Sequence, residues 1–329
     1  MADHGKMGRR DFLRTSAAVS GGAAWALSAG GRAEAANERG GFGPIDQTGA
    51  EGMPLGQLGR LQISRLVSGA NVFNGFSHSR DLAYVRDLML RYNTEEKLME
   101  TMAELEAHGV NAVISSLRDT FLPHIERYWR ENGHTLHWIA DCRPDPADDM
   151  GGELGIQRAV DLGASAIYIN GIRSDTWCEQ GRPDYLGEAV ERIHQQHLPA
   201  GIGGHSLAPM IAAEEEGYGA DFYVKSFHHH DYWSCDADET DGRVGRASWE
   251  QEPAETIAFM AEVDKPFIAF KVLAAGAIPP EDGFQYAFEN GADFIFVGMF
   301  DWQIEEDARV TRDVLNGIAA SGRERPWRA

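Results

Sequence analysis

Cysteine is scarce in this 329-residue chain. Cys142, Cys178 and Cys235 are an odd set, spread too widely for a disulfide framework or a CxxC zinc site, and we read them as buried or incidental thiols. Long apolar runs are also missing: beyond the N-terminal leader none approaches the roughly 18 residues needed to cross a bilayer, so no membrane span is expected. Basic residues are few, with 30 Lys and Arg against 51 Asp and Glu and a net charge of -21. A field of that sign repels phosphates, which argues against nucleic acid as a partner and leaves small neutral or cationic ligands. No GxGxxG follows the first strand-like run, which disfavours the dinucleotide-binding form of a doubly wound sheet. GIGGH at 201–205 has close glycines, but it follows the fifth such run.

The leader GRRDFLRTSAAVSGGAAWALSAGGRAEA has the layout of a twin-arginine export signal. Arg9 and Arg10 precede Phe12 and Leu13, a weakly apolar Ala/Gly/Ser stretch follows, and Ala33-Glu34-Ala35 offers a small-residue cleavage site. The expectation is a signal over 1–35, a flexible leader over 36–52 and one domain over 53–329, working in the periplasm or outside the cell. Loss of the five basic and three acidic residues of 1–35 leaves 25 Lys and Arg against 48 Asp and Glu, a balance of -23. Twin-arginine export carries proteins already folded, often with a metal or cofactor inserted, which favours a prosthetic group without naming one.

From Arg65 onward, short β-rich runs alternate with amphipathic segments. The candidate strands are 65–70, 110–115, 136–141, 166–170, 200–203, 221–225, 266–271 and 293–297, with helical stretches such as TEEKLMETMAELEAHG, YLGEAVERIHQQ and PEDGFQYAFENG between them. Helices ending at a glycine just before a strand, as in AHG-VNAVIS and ENG-ADFIFV, carry the C-cap chemistry of tight αβ loops. Eight strands and eight helices over about 265 residues predict a (β/α)8 barrel, an α/β fold of the TIM type.

Ahead of the first strand, MPLGQLGRLQISRLVSGANVF resembles the opening of aldo/keto reductases, where a small hairpin closes the bottom of the barrel. Those enzymes carry an aspartate after strand two, a tyrosine soon after it and a lysine at the end of strand three; here the chain reads VISSLRD and then HWIADCRP. The tyrosine and lysine are missing, so neither a nicotinamide cofactor, NAD(P), nor hydride transfer is expected. With GFSHSRD, GIGGHS, HHHDYWS, AFKVLAAGAIPP and GADFIFVGMFD, the whole chain resembles a group of exported, aldo/keto reductase-like bacterial barrel proteins.

A TIM barrel builds its site at the C-terminal ends of its strands, so polar residues just beyond each run form one ring. That ring holds Asn71 and the His78-Ser79-Arg80-Asp81 loop; Ser116 and Arg118; Asp141 and Arg143; Asn170 and Arg173; His205; Lys225 with His228, His229, His230 and Asp231; Lys271; and Asp301. A long loop after strand six carries Tyr232, Trp233 and Trp249, and aromatics over a polar ring suit a sugar, whose C–H faces stack and whose hydroxyls need hydrogen bonds. Asp141, His205, His228 and His230 converge as ligands for a divalent transition metal, Zn, Mn, Fe, Co or Ni. Adjacent residues of extended chain point opposite ways, so at most two of the three histidines face one ion. Asn71, His78, Asn170, Tyr232 and Trp233 are the candidate substrate contacts.

Two mechanisms stay open. In the first, a metal polarises a carbonyl or hydroxyl of a keto-sugar while Lys225, Lys271 or His229 moves a proton and Arg118 or Lys271 meets the developing charge, giving a lyase, isomerase or hydrolase. In the second, Lys225 and Lys271, placed as in class I aldolases of the deoxyribose-phosphate type, form a Schiff base. A sugar-binding barrel without turnover is the alternative of another class. The sequence names neither the substrate nor the oligomeric state.

Overall fold

The computed structural model describes residues 52–329 except 77, 79–81, 83, 119, 134, 236–242, 245 and 246. The export signal, almost all of the 36–52 leader and the loop residues Ser79, Arg80 and Asp81 lie outside the described residues. The chain opens with an antiparallel hairpin, β1 (Leu55–Leu58) and β2 (Leu61–Ser64). Eight parallel strands then close a barrel: β3 (Leu66–Gly69), β4 (Ala112–Ser116), β5 (His137–Cys142), β6 (Ala166–Ile169), β7 (Ala200–Gly204), β8 (Phe222–Ser226), β11 (Phe267–Phe270) and β12 (Phe294–Val297). Each expected strand is found within two residues of its expected ends, and β12 pairs with β3 to seal the cylinder. A short hairpin, β9 (Arg243–Val244) and β10 (Ala247–Ser248), sits in the long connection after β8.

Ten helices, not eight, are present among the described residues. The two additional ones are α1 (Tyr84–Tyr92), ahead of α2 (Glu95–Ala107), and α5 (Gly171–Glu179), ahead of α6 (Asp184–Gln195). The others are α3 (Leu122–Asn132), α4 (Ile156–Asp161), α7 (Ala208–Glu216), α8 (Pro253–Glu262), α9 (Pro280–Glu289) and α10 (Asp301–Ser321). None is long and apolar enough to cross a membrane.

Alternation decides which side chains fill the cylinder. Val67, Ile114, Ile139, Tyr168, Phe222, Val224, Ile268 and Phe294 share one buried cluster with Leu58, Leu61 and Ile63 of the hairpin, so the hairpin plugs the barrel floor. A Cβ on Gly56 would fall 2.8 Å from Phe294, which is why that hairpin position carries none. The glycines of GIGGH have the same cause: a Cβ on Gly201 would lie 2.5 Å from the Phe222 ring, and one on Gly203 2.7 Å from the Ile169 carbonyl. They make room inside the barrel, not around a pyrophosphate. Beneath the plug, buried Asp293 accepts from Arg323 and Arg325 and from the backbone N–H of Phe267 and Arg328, tying the C-terminal tail to the barrel.

A methyl group inside the barrel meets an aromatic ring that close packing holds in place. Gly201→Ala is therefore expected to cost about 2 kcal/mol or more in urea unfolding. Gly317→Ala, on α10 with open space around it, should be neutral or stabilise by roughly 0.5–1 kcal/mol. Equal effects of the two changes would refute the packing assignment.

Candidate active site

The parity that points Phe222 and Val224 into the barrel points Lys225 away from it. Its side chain is fully buried, and its Nζ donates to Glu250 Oε2 (2.6 Å), the His205 carbonyl (2.7 Å) and the Ser226 carbonyl (2.9 Å). Lys225 is thus an anchor for the 227–252 connection and does not share the mouth of the barrel. Glu250, equally buried, also accepts from the Glu252 N–H and the Thr256 hydroxyl.

The triple histidine belongs to the same anchor. His228 Nδ1–H donates to the His229 carbonyl (2.9 Å), which leaves its Nε2 to accept the Glu250 N–H (3.2 Å). His230 Nε2–H donates to the Glu250 carbonyl (2.8 Å). His229 faces elsewhere: its Nδ1 accepts from the Asp231 N–H, its Nε2 lies 3.3 Å from Asp282, and its ring packs edge-on against Tyr286. The alternation expected of extended chain holds, with residues 228 and 230 turned to one partner, but that partner is the main chain of Glu250. Among the described residues no group of three or more His, Cys, Asp or Glu side chains could hold one metal ion. The donor set expected from Asp141, His205, His228 and His230 is thus not assembled, because both nitrogens of His228 and Nε2 of His230 are engaged with main chain.

The mouth is formed by other groups. His205, just past β7, donates from Nδ1 to Asp175 Oδ2 (2.9 Å), and Asp175 also accepts the His205 and Ser206 backbone N–H and the Ser206 hydroxyl. This fixes the His205 tautomer, with the lone pair on Nε2. Burial above all lowers the His205 pKa; Asp175 opposes it, and the cations of Lys271 and Lys225 reinforce it. Asp175 lies on α5, a helix the sequence reading did not delimit. The signal was NGIRSD after the fourth strand: Asn170 Oδ1 caps α5 by accepting from the Ile172 and Arg173 N–H, which sets Asp175 one turn on.

Asn170 has a second contact. Its Nδ2 donates to Asp141 Oδ2 (2.9 Å). Asp141 is on the interior parity of β5, and burial raises its pKa against the opposing effects of Asn170, Arg143 and Tyr168. Across the mouth, Asn71 and His78 lie 3.4 Å apart (Nδ2 to Nε2). The pKa of His78 is lowered to about 4, mostly by burial and further by Lys271 and His205, so these three groups occupy one electrostatic neighbourhood.

Lys271 completes the cluster. It follows β11 with φ at +60°, and Ala274 and Ala275 share that left-handed conformation. For a residue with a side chain this costs roughly 1 kcal/mol or more, a strain that collects at functional sites. Its pKa is pushed down to about 7, first by burial, then by Lys225, against the pull of Asp175. Phe270 and Phe296, stacked 6.2 Å apart on the interior parity, lie beside it, and the His205 ring meets Phe270 edge-on.

Several expected site residues lie apart from this cluster. Arg118 is exposed and lines a groove of about 690 Å³ with Glu126, Trp129, Glu153 and Arg158. Trp233 is 89% exposed, while Tyr232 packs into a small apolar cluster with Trp249, Ala274 and Ile278. The mouth therefore unites Asn71, His78, Asp141, Asn170, His205 and Lys271 of the sequence-derived set and adds Asp175.

Solved structures share this architecture. A candidate aldo-keto reductase from Pseudomonas aeruginosa aligns at a TM-score of 0.55 and 13% identity, over 82% of this chain and 98% of its own. Another from the same organism aligns at 0.54 and 14%, over 80% and 94%. A truncated 3-deoxy-D-arabino-heptulosonate 7-phosphate synthase from Thermotoga maritima gives 0.49 and 14%, over 82% and 93%. At such identities the likeness is one of fold. No protein-family profile matches the chain, and no curated protein matches it.

The anchor generates two expectations. Glu250→Ala strands a buried ammonium and should cost about 3–5 kcal/mol, whereas Lys225→Met/Glu250→Met together should recover most of that loss. Chemical denaturation of the three proteins decides it, and a double variant as unstable as the single one would refute it. His228, with its pKa lowered to about 4, stays neutral in the fold where the unfolded chain takes up a proton. Its stabilisation is complete above pH 6.5 and is lost as pH falls towards 4, on the order of 3 kcal/mol. Melting curves of His228→Gln across that window should decline less steeply than the wild type.

Proposed function

We propose that this barrel is an enzyme whose Lys271 amine attacks the carbonyl of a small polyhydroxylated substrate, making it a Schiff-base carbon–carbon lyase. The observation that carries the reading is the placement of Lys271, whose amine is buried beside the Trp249 and Phe270 rings, a burial that pushes its pKa down to about 7. A neutral amine is thereby populated near neutral pH far more than for an ordinary lysine. Of the two mechanisms left open by the sequence, this one draws on groups that converge at the mouth.

The neutral Nζ adds to the carbonyl carbon; a C–N bond forms, the π pair moves to oxygen, and the proton lost by nitrogen passes to that oxygen. Asp141, whose pKa is raised by burial, is the acid that then releases this oxygen as water, leaving the iminium. His205 Nε2 removes the proton of the hydroxyl on the carbon β to the iminium. The bond between that β carbon and the α carbon breaks, its pair forms the enamine double bond while the iminium π pair passes to nitrogen, and the β carbon departs as an aldehyde. Protonation of the enamine carbon and hydrolysis of the iminium return the free amine. Asp175 stabilises the imidazolium that His205 becomes, and Lys225, paired with Glu250, opposes protonation of Lys271.

Asn71, His78 and Asn170 supply hydrogen bonds to substrate hydroxyls, and Phe270 with Phe296 offers an apolar floor for C–H faces. The twin-arginine leader would place this chemistry in the periplasm or outside the cell.

Borohydride reduction in the presence of dihydroxyacetone as a probe should leave a covalent adduct on Lys271, seen as a mass increase on its peptide. Trapping should rise as pH passes through about 7, because the amine acts only after losing its proton, and Lys271→Met should abolish it. Turnover of any ketose with no Lys271 adduct would overturn the reading.

A further inference from the structure

Two adjacent residues of the long connection reach both lysines. Glu250 binds Lys225 at 2.6 Å, and the Lys271 Nζ lies 5.4 Å from the centroid of the Trp249 ring. Trp249 is itself 4% exposed and packs on Ala274 and Ile278, in the same β11–α9 turn that carries Lys271. The dipeptide is held from behind: His228 accepts the Glu250 N–H, His230 donates to the Glu250 carbonyl, and the His228 ring meets Trp249 edge-on at 5.9 Å.

Resting on the assignment of Lys271 as the reacting amine, we propose that Trp249 and Glu250 form a clasp beside Lys271, locked by His228 and His230, that positions Lys271 and keeps its amine out of water. Trp249 is the positioning residue of this device, and His228 acts through it without touching Lys271.

The physical basis is the competition around one ammonium. Asp175 favours its charge, Lys225 opposes it, and the neighbouring His205 and His78 are themselves held neutral by burial and by Lys271. An indole face attracts a cation, the more so when the cation has lost water, and this favours the charged form. Here the larger effect is that Trp249 occupies volume water would otherwise fill, and removal from water disfavours the charged form. The largest effect on the Lys271 amine is removal from water, and the clasp supplies that removal on the Trp249 side. The triple histidine thereby acquires a role: two of its members grip the main chain of the residue that pairs with one lysine and adjoins the shield of the other.

Competitive labelling of the full-length protein with acetic anhydride from pH 5 to 11, read on the Lys271 peptide by mass spectrometry, tests this. Wild type should reach half-maximal reactivity near pH 7. Trp249→Ala should raise that midpoint by about one unit or more, roughly ten-fold less neutral amine at pH 7. Trp249→Phe, which keeps a ring in place, should stay near the wild type. His228→Leu, which removes the acceptor for the Glu250 N–H, should shift the midpoint in the same direction as Trp249→Ala. If wild type labels near pH 7 and both Trp249→Ala and His228→Leu do too, the clasp is refuted while the amine assignment stands. If wild type labels near pH 10, the amine assignment fails and the clasp falls with it.

Discussion

A fully buried ammonium is tolerated only against a buried carboxylate with its remaining protons satisfied, and Lys225 with Glu250 meets that condition. The pair fixes more than a loop. Glu250 belongs to the long connection after β8, and its backbone is gripped on one side by His228 and on the other by His230. The pair therefore decides where Trp249 lies, and Trp249 faces Lys271. Lys225 also lends its positive charge to the mouth, lowering the pKa of both His205 and Lys271. An outward-facing residue of one strand thus shapes the chemistry of the inward-facing mouth without entering it.

Burial is the common cause of the site's electrostatics. His78, His205, His228 and Lys271 all have lowered pKa values, and for each the largest cause is removal from water. A cluster of neutral bases at neutral pH is what amine and imidazole chemistry requires, since a protonated base neither attacks a carbonyl nor accepts a proton. Metal coordination also uses neutral imidazole, but it needs lone pairs turned to one point. Here those of His228 and His229 are turned towards backbone N–H groups.

The barrel was legible because its signal is redundant. Eight strands of buried β-rich sequence, alternating with helices several of which end at a glycine, can satisfy their backbone and bury their faces in few other ways. The hairpin plug was legible through the resemblance of MPLGQLGRLQISRLVSGANVF to the opening of aldo/keto reductases, and Leu58, Leu61 and Ile63 pack into the barrel cluster as that resemblance implies. The ring of rim residues was half legible. Parity along an extended strand is known once the interior residues are known, and Val224 inside means Lys225 outside. The composition of YVKSFHHHDYWSC invited the opposite reading, because lysine and histidine at a strand end suggest chemistry whichever way they face.

Asp175 was hidden for a different reason. Its helix begins immediately after β6, with no separate hydrophobic stripe of its own, since only Gly171, Ser174 and Trp177 are buried along it. A periodic signal is weak over nine residues with so few apolar anchors. What placed it was a cap, Asn170, whose amide both starts α5 and holds Asp141. One short polar side chain at the end of β6 therefore orients the acid of one strand and, through the helix it begins, the carboxylate partner of His205. That economy explains how the proton-carrying groups on the two strands flanking β6 are kept in register: both are referred to the same amide, and a shift in Asn170 would move them together.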